Sequence, residues 1–193
     1  MPFSKLNLLA QLNQSLVEND YKKPTAIQEK VIPLVLQKKD VMAKAQTGSG
    51  KTASFVLPIL DFFSKQNYEG KAKVRVLVLT PTRELALQVA NSFDTFSKYL
   101  PKKPKLVSVI GGQSIGDQLL EIQKGCDIVV ATTGRLVDIL DKKQINLSAL
   151  EFFVLDEADK MLDFGFEEEL ELLLKSIPKK RQNLLFSATY PAK

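Results

Sequence analysis

What most limits the fold of this chain is an alternation of two hydrophobic rhythms. Short runs at Asp40 to Ala43, Val74 to Leu79, Lys105 to Ile110, Asp127 to Ala131, Phe152 to Leu155 and Asn183 to Phe186 are mostly apolar at successive positions. Such runs suit strands covered on both faces, as in a parallel sheet between helical layers. Between them, apolar residues recur at helical spacing: Leu85, Val89, Phe93 and Phe96; Ile115, Leu119 and Ile122; Leu170, Leu173, Leu174 and Ile177. Strand and helix in alternation predict an α/β fold, a mostly parallel central sheet with helices on both faces. Two earlier helical segments, around Leu9, Leu12 and Leu16 and around Ile27, Val31 and Val35, form an N-terminal annex over 1–38, ahead of a core over 39–193. Loops are expected at Lys65 to Lys73, Tyr99 to Pro104 and Pro178 to Gln182, their lysines solvating the turns. With 193 residues and 45% hydrophobic content, a single domain is expected.

The chemistry gathers where the runs end. Ala45 to Thr52, AQTGSGKT, follows the first run and opens a helical segment, which is the setting of a phosphate-binding loop. Glycines let backbone N–H groups curl round an anion, and the helix N-terminus adds its positive dipole end. Lys51 then reaches the outer phosphates, and the Thr52 hydroxyl can ligate Mg2+. Ala45 stands where the general pattern has its first glycine, so a glycine-rich turn with a chance lysine is the alternative. Phe152 to Leu155 ends directly in Asp156-Glu157-Ala158-Asp159. Ligands of an open parallel sheet bind at the carboxyl ends of its strands, so these acids are expected beside the phosphate loop. Asp156 would hold Mg2+, directly or through water, and Glu157 would orient or deprotonate an attacking water. The alternative is an acidic helix start, favoured for dipole reasons.

Composition narrows the chemistry further. The chain has no histidine, which removes the usual general base, Ser-His arrangements and nearly every catalytic zinc site. Carboxylates, lysine or a bound metal must carry any reaction. A net charge of +5 and a pI near 9.2 lean toward a polyanionic partner. The single cysteine, Cys126, cannot form an internal disulfide, and before Ile128 to Val130 it reads as a packed thiol in a reducing compartment. The longest apolar runs, Leu150 to Leu155 and Leu184 to Phe186, are far short of the ~18 to 20 residues that cross a bilayer, so no membrane role is expected. Asn7 and Gln11 interrupt the leucines of Met1 to Gln11, which read as no secretory signal.

The segment at 156–159 spells DEAD, and further blocks stand in order around it, so the chain resembles the ATP-binding, RecA-like half of a DEAD-box RNA helicase. Phe3 and Tyr21-Lys22-Lys23-Pro24-Thr25-Ala26-Ile27-Gln28 resemble the Q motif, with Asp20 in place of the usual glycine. Pro81-Thr82-Arg83-Glu84-Leu85-Ala86 is similar to motif Ia, Gly111-Gly112 to the GG motif, and Thr132-Thr133-Gly134-Arg135 to motif Ib, normally TPGR. Ser187-Ala188-Thr189 is similar to motif III, and the stretches RQNLLFSAT and DEADKMLDFGF resemble bacterial RhlE-like members. These blocks cover essentially the whole chain.

The resemblance implies a RecA-like P-loop NTPase domain that takes ATP and Mg2+. Tyr21, Lys23 and Gln28 would serve the adenine, by stacking and by a bidentate glutamine. Ala45, Gln46, Thr47, Gly48, Ser49, Gly50, Lys51 and Thr52 would hold the phosphates. Lys51, Asp156 and Glu157 would be catalytic, with Thr52 and Asp156 serving the metal. RNA would bind through its backbone at Pro81, Thr82, Arg83, Gly111, Gly112, Thr132, Gly134 and Arg135, without reading base sequence. Asp159, Ser187 and Thr189 would link nucleotide state to domain closure; taken singly, such serines, threonines and glycines also serve as ordinary caps and turns. The family pattern includes a second RecA-like domain that supplies arginine fingers. These residues alone are therefore expected to bind nucleotide weakly and turn over almost nothing, in a monomeric, cytoplasmic protein. A DNA-directed helicase and an ATP-locked RNA clamp are the rival readings. The acidic run Glu167 to Glu171 is read as a solvated helix face.

Overall fold

Strand pairing follows from burial on both faces. A computed structural model describes residues 2–46, 48–66 and 70–189. Strands β1 (Val41–Lys44), β2 (Val76–Thr80), β3 (Leu106–Val109), β4 (Ile128–Thr132), β5 (Phe152–Leu155) and β6 (Gln182–Ser187) form one sheet. Their order is β1-β6-β5-β2-β4-β3, and every neighbouring pair is parallel. Val76 and Val78 of β2 face a cluster with Phe55, Phe93 and Phe186, while Leu77 and Leu79 face Leu136, Ile139, Met161 and Leu173. Alternate side chains of a strand point to opposite faces, so two separate apolar layers explain why this run shows no polar alternation.

The first layer comprises a 3-10 turn (Phe3–Leu6) and helices α1 (Ala10–Glu18), α2 (Ala26–Leu36), α3 (Lys51–Ser64) and α4 (Arg83–Phe96). The second comprises α5 (Ile115–Gln123), α6 (Thr133–Asp141), α7 (Ala158–Asp163) and α8 (Glu167–Ser176). The annex shares the first layer's core: Leu12 and Leu16 are buried in it, and the Ser15 hydroxyl donates to the Phe96 carbonyl at 3.0 Å, tying α1 to α4. Cys126 is a buried thiol whose pKa burial raises to about 11, with Asp127 adding to the shift. No helix among the described residues is long and apolar enough to cross a membrane.

The expected α/β architecture holds, with three local differences. Gln182, expected to close a loop, opens β6, because its backbone N–H donates to the Glu151 carbonyl and its buried amide donates to the carbonyls of Val35 and Lys39. Leu174 belongs to the expected apolar stripe of α8 but is 44% exposed, as Leu173 and Ile177 alone turn fully into the core. Helix α6, begun by Thr133 and packed through Leu136 and Ile139, and helix α7, begun by Ala158 and packed through Met161, had no counterpart among the expected helices.

Candidate functional site

Parallel strands bring all their carboxyl ends to one edge of the sheet. From β1 the chain enters the glycine-rich loop, and Gly48 and Gly50 take φ of +79° and +89°, the left-handed region open to glycine. Gly50 caps α3, which starts at Lys51. A Cβ at Gly50 would lie 2.4 Å from Gln28 Nε2, so the glycine is also needed for this close approach. Gln28 donates from Nε2 to the Gly50 carbonyl at 3.1 Å and accepts the Thr25 N–H at Oε1. The second bond belongs to a capping box that starts α2, so one buried amide both builds that helix and tethers the phosphate loop. Ala45 is buried, Gln46 and Gly48 are exposed, Ser49 and Thr52 are half-buried, and Thr47 lies outside the described residues. Ala45 itself donates its N–H to the Ser187 carbonyl at 3.0 Å, which ties the loop to the strand beside it.

Lys51 carries the clearest signal. It is 7% exposed, and its ammonium stands 3.9 Å from Asp156 Oδ1 and 3.8 Å from Glu157 Oε1, beyond hydrogen-bond reach of either. Neither Lys51 Nζ nor Asp156 Oδ1 has a hydrogen-bond partner. A buried ammonium is costly unless fully paired, so this arrangement suits an anion and a cation entering between the side chains. Burial pushes the Asp156 pKa up to about 6; the ammonium of Lys51 acts against that shift and the carboxylate of Glu157 adds to it.

Glu157 adopts φ 57° and ψ 52° at the start of α7, an unusual left-handed geometry for a residue with a side chain. The turn leaves its other oxygen 2.7 Å from the exposed ammonium of Lys160, whose pKa is raised by that hydrogen bond. Among the described residues no group of three or more acidic, cysteine or histidine side chains could hold a metal by itself. Asp156 Oδ1, buried without a hydrogen-bond partner, is the carboxylate oxygen here that a cation could meet, and such a cation would need phosphate oxygens or water to complete its shell.

Asp159 points the other way, toward the end of β6. Its Oδ2 accepts the N–H groups of Ala188 at 3.1 Å and Thr189 at 3.0 Å, and the Thr189 hydroxyl at 3.0 Å. The Ser187 hydroxyl donates to the Thr189 carbonyl and so shapes the turn. Desolvation raises the Asp159 pKa, but the hydrogen bonds, led by Thr189, outweigh it and hold the carboxyl below its ordinary value.

The other half of the edge, over β2, β4 and β3, is built of small residues and two arginines. Thr82 caps α4 by accepting the Leu85 N–H at 3.3 Å, next to buried Pro81. The exposed guanidinium of Arg83 lies over Gly111 and Gly112; a Cβ at Gly112, where φ is +76°, would come within 2.2 Å of Arg83 Nη1. Arg135 donates to the Gln113 carbonyl and to Gln118 Oε1, both at 3.2 Å. Gln118 is 5% exposed and donates its own amide to the Ile110 carbonyl at 2.9 Å. Thr132 ends β4 at the N-terminus of α6, and no atom would meet a Cβ at Gly134 within 4 Å. Motifs Ia, GG and Ib are thus joined through Arg83, Arg135 and Gln118.

Two residues of the sequence reading sit differently from the rest. Tyr21 is 38% exposed and makes edge-on contacts to Phe96 at 5.4 Å and Phe3 at 6.4 Å, and Lys23 is exposed beside it. Asp20, which stands where the family pattern has glycine, takes φ +61°, so the position keeps the backbone geometry that glycine serves. Gln118 and Lys160 were missed. Gln118 carries no signal, since a glutamine on a helix usually marks a solvated face. Thr25 was quoted only within its motif, although its spacing from Gln28 is that of a capping box.

Comparison with known proteins agrees with this geometry. Residues 25–193 match the DEAD/DEAH box helicase family model. The chain is 45% identical over 190 residues to the ATP-dependent RNA helicase DeaD of Escherichia coli, covering 98% of this chain and 29% of that protein. It is 43% identical over 191 residues to the DEAD-box ATP-dependent RNA helicase CshA of Streptococcus pneumoniae, covering 99% of this chain and 35% of that protein. A crystal structure of a DEAD box protein from the hyperthermophile Methanococcus jannaschii superposes with a TM-score of 0.90 at 40% identity, over 99% of this chain and 51% of the other. The chain thus spans about a third of the length of these curated relatives. With its sheet order, its lysine between two acids and its sequence all in agreement, the chain belongs to the DEAD/DEAH box helicase family.

Proposed function

We propose that this chain is the ATP-binding half of an RNA-dependent ATPase, an ATP-dependent RNA helicase that parts short duplexes locally. The observation that carries the reading is the Lys51 ammonium, buried between Asp156 and Glu157 without a hydrogen bond to either, on the same sheet edge as the Arg83–Gly112–Arg135 surface. Lys51 and the backbone of residues 45–50 bind and orient the phosphates, while Tyr21, Lys23 and Gln28 select adenine. Each end of the Gln28 amide holds one bond and keeps one more, an N–H at Nε2 and a lone pair at Oε1, which are the groups a bidentate adenine contact uses. Thr52 and Asp156 hold Mg2+, which neutralises phosphate charge when bound. Glu157 positions and deprotonates the attacking water.

Pro81, Thr82, Arg83, Gly111, Gly112, Thr132, Gly134 and Arg135 hold the RNA backbone, so binding is independent of base sequence and RNA is told from DNA by strand geometry and the 2'-hydroxyl. Asp159, Ser187 and Thr189 transmit nucleotide state to this surface. Turnover needs a second RecA-like domain with its arginine fingers, worth ~10³ to 10⁵ in rate, or roughly 4 to 7 kcal/mol of barrier. The setting that fits is a monomeric protein of the cytoplasm.

The test is steady-state ATP hydrolysis by the chain joined to its second domain, with single-stranded RNA and same-sequence DNA added separately at fixed salt. Stimulation by RNA alone is expected. Equal stimulation by both would replace the reading with a DNA-directed helicase, and hydrolysis slow beside persistent RNA binding would replace it with a clamp.

A further inference from the structure

The pole opposite the catalytic edge carries its own charged cleft. The loops entering β2 and β3 lie at the amino ends of the strands, roughly 16 Å from the carboxyl ends for strands of this length. Together they line a cleft of about 410 Å³ with Lys71, Lys73, Lys102, Lys103 and Lys105. All five lysines are exposed. Among the described residues the cleft has two carboxylates, both engaged: Glu151 accepts Arg75 Nε at 2.6 Å, and Asp127 accepts the Lys105 backbone N–H at 2.8 Å. Among the described residues Lys71, Lys73, Lys103 and Lys105 enter no salt bridge. Lysines near a helix end often only offset its dipole, but that effect fades beyond the last turn. Helices α3 and α4 end at Ser64 and Phe96, well before these lysines in the chain.

We propose that this cleft is a second RNA site, one that holds the phosphate backbone of duplex RNA. Among the described residues no aromatic side chain lines it, so the described lining offers bases no platform for stacking and favours a duplex over a single strand. Lysines act as point charges on flexible stems, which fits phosphate contact rather than base reading. A duplex presents the densest regular row of phosphates, so it is the favoured polyanion. The proposal rests on the reading of the chain as an RNA enzyme. A helix of structured RNA held at this pole would raise the local concentration of its single-stranded flank at the carboxyl edge.

The test is binding of this 193-residue chain to a labelled blunt RNA duplex without nucleotide, by fluorescence anisotropy across a salt series. One variant combines Lys71→Glu, Lys73→Glu, Lys103→Glu and Lys105→Glu, all at exposed positions outside the core. It is expected to lose at least tenfold in affinity, with the slope of log K against log salt shrinking by about 3 to 4 as some four phosphate contacts disappear. A second variant, Arg83→Glu with Arg135→Glu, is expected to lose single-stranded RNA, and the four lysine substitutions added to it are expected to lower duplex affinity and slope by the same factor as in the parent chain. Unchanged duplex binding and slope in the lysine variant overturn the proposal. So does equal competition by polyglutamate at matched charge, which would assign the cleft to an acidic protein. If the arginine variant still binds single-stranded RNA normally, the carboxyl-edge reading fails instead, independently of the lysine result.

Discussion

Asp156→Asn is expected to gain stability relative to the parent chain as pH rises from 4 to 8 in the absence of ligand. Asp156 is 1% exposed, and burial raises its pKa from 3.8 to about 6. Because the folded pKa lies above the unfolded one, the group favours the folded state fully below the unfolded value of about 3.8, and that contribution is lost as pH rises through 6. A shift of this size corresponds to about 3 kcal/mol across the whole window. Asparagine keeps the size and removes the titration, so the variant's stability relative to the parent should rise by about 2 kcal/mol between pH 4 and pH 8. Every other titrating group is common to both chains, and the pH-independent cost of the new amide cancels in this difference. The assay is urea unfolding of both proteins with chelator present. A stability gap that stays flat with pH, or narrows toward pH 8, would refute the argument that burial dominates at this carboxylate. A gap that widens with pH would instead make the wild-type side chain an example of stability given up for function.

Other substitutions separate the roles at the same edge. Glu157→Gln, assayed by chemical quench in the protein with its second domain, should keep ATP and RNA binding but abolish turnover and release; unchanged hydrolysis would remove Glu157 from the chemistry. Gln28→Ala should erase the preference for ADP over GDP in calorimetric titration and cost about 1 to 2 kcal/mol of stability, because it opens the capping box and removes one of the two hydrogen bonds at the Gly50 carbonyl, which keeps the Ser54 N–H. Thr189→Val, which removes the hydroxyl donated to Asp159, should lower strands parted per ATP while hydrolysis persists. Gly112→Ala should push Arg83 aside and strain a left-handed residue, weakening RNA binding several-fold in anisotropy with ATP affinity unchanged.

Burial and topology decide which parts of this design were legible in the sequence. The strands were legible because double-sided burial leaves continuous apolar runs, and β5 even ended at the expected residue. Their order was not, since parallel pairing depends on long crossovers that leave no local trace. Helix α6 escaped because its first residues, Thr133 to Arg135, read as a motif, although Leu136, Val137, Ile139 and Leu140 give it an apolar face. Lys51, Asp156 and Glu157 were legible as chemistry because no core needs such residues at strand ends. Gln118 was not, since a buried amide and a solvated one look alike in sequence. The lysines of the opposite pole were visible only as turn solvation, because the cleft exists only when two separate loops meet at one end of the sheet.

Strand order also fits the proposed reading, in which one edge serves two ligands. The loop after β1 and the acids after β5 flank β6, so the nucleotide residues occupy one half of the sheet. Motifs Ia, Ib and GG follow β2, β4 and β3 and occupy the other half. β5 and β2 are neighbours, and the N–H of Asp156 donates to the Leu79 carbonyl at 3.0 Å, so the two halves meet at the acid that would hold the metal. On the other side of β5, the end of β6 is fastened to Asp159 by three hydrogen bonds, and the Ser187 carbonyl is fastened to Ala45. A change in phosphate charge between Lys51 and Asp156 can therefore bias both the β6 turn and the first strand of the RNA half without any long rearrangement. Coupling by this route requires only that the DEAD segment have two arrangements, and the left-handed turn at Glu157 is the part of it held least comfortably in one.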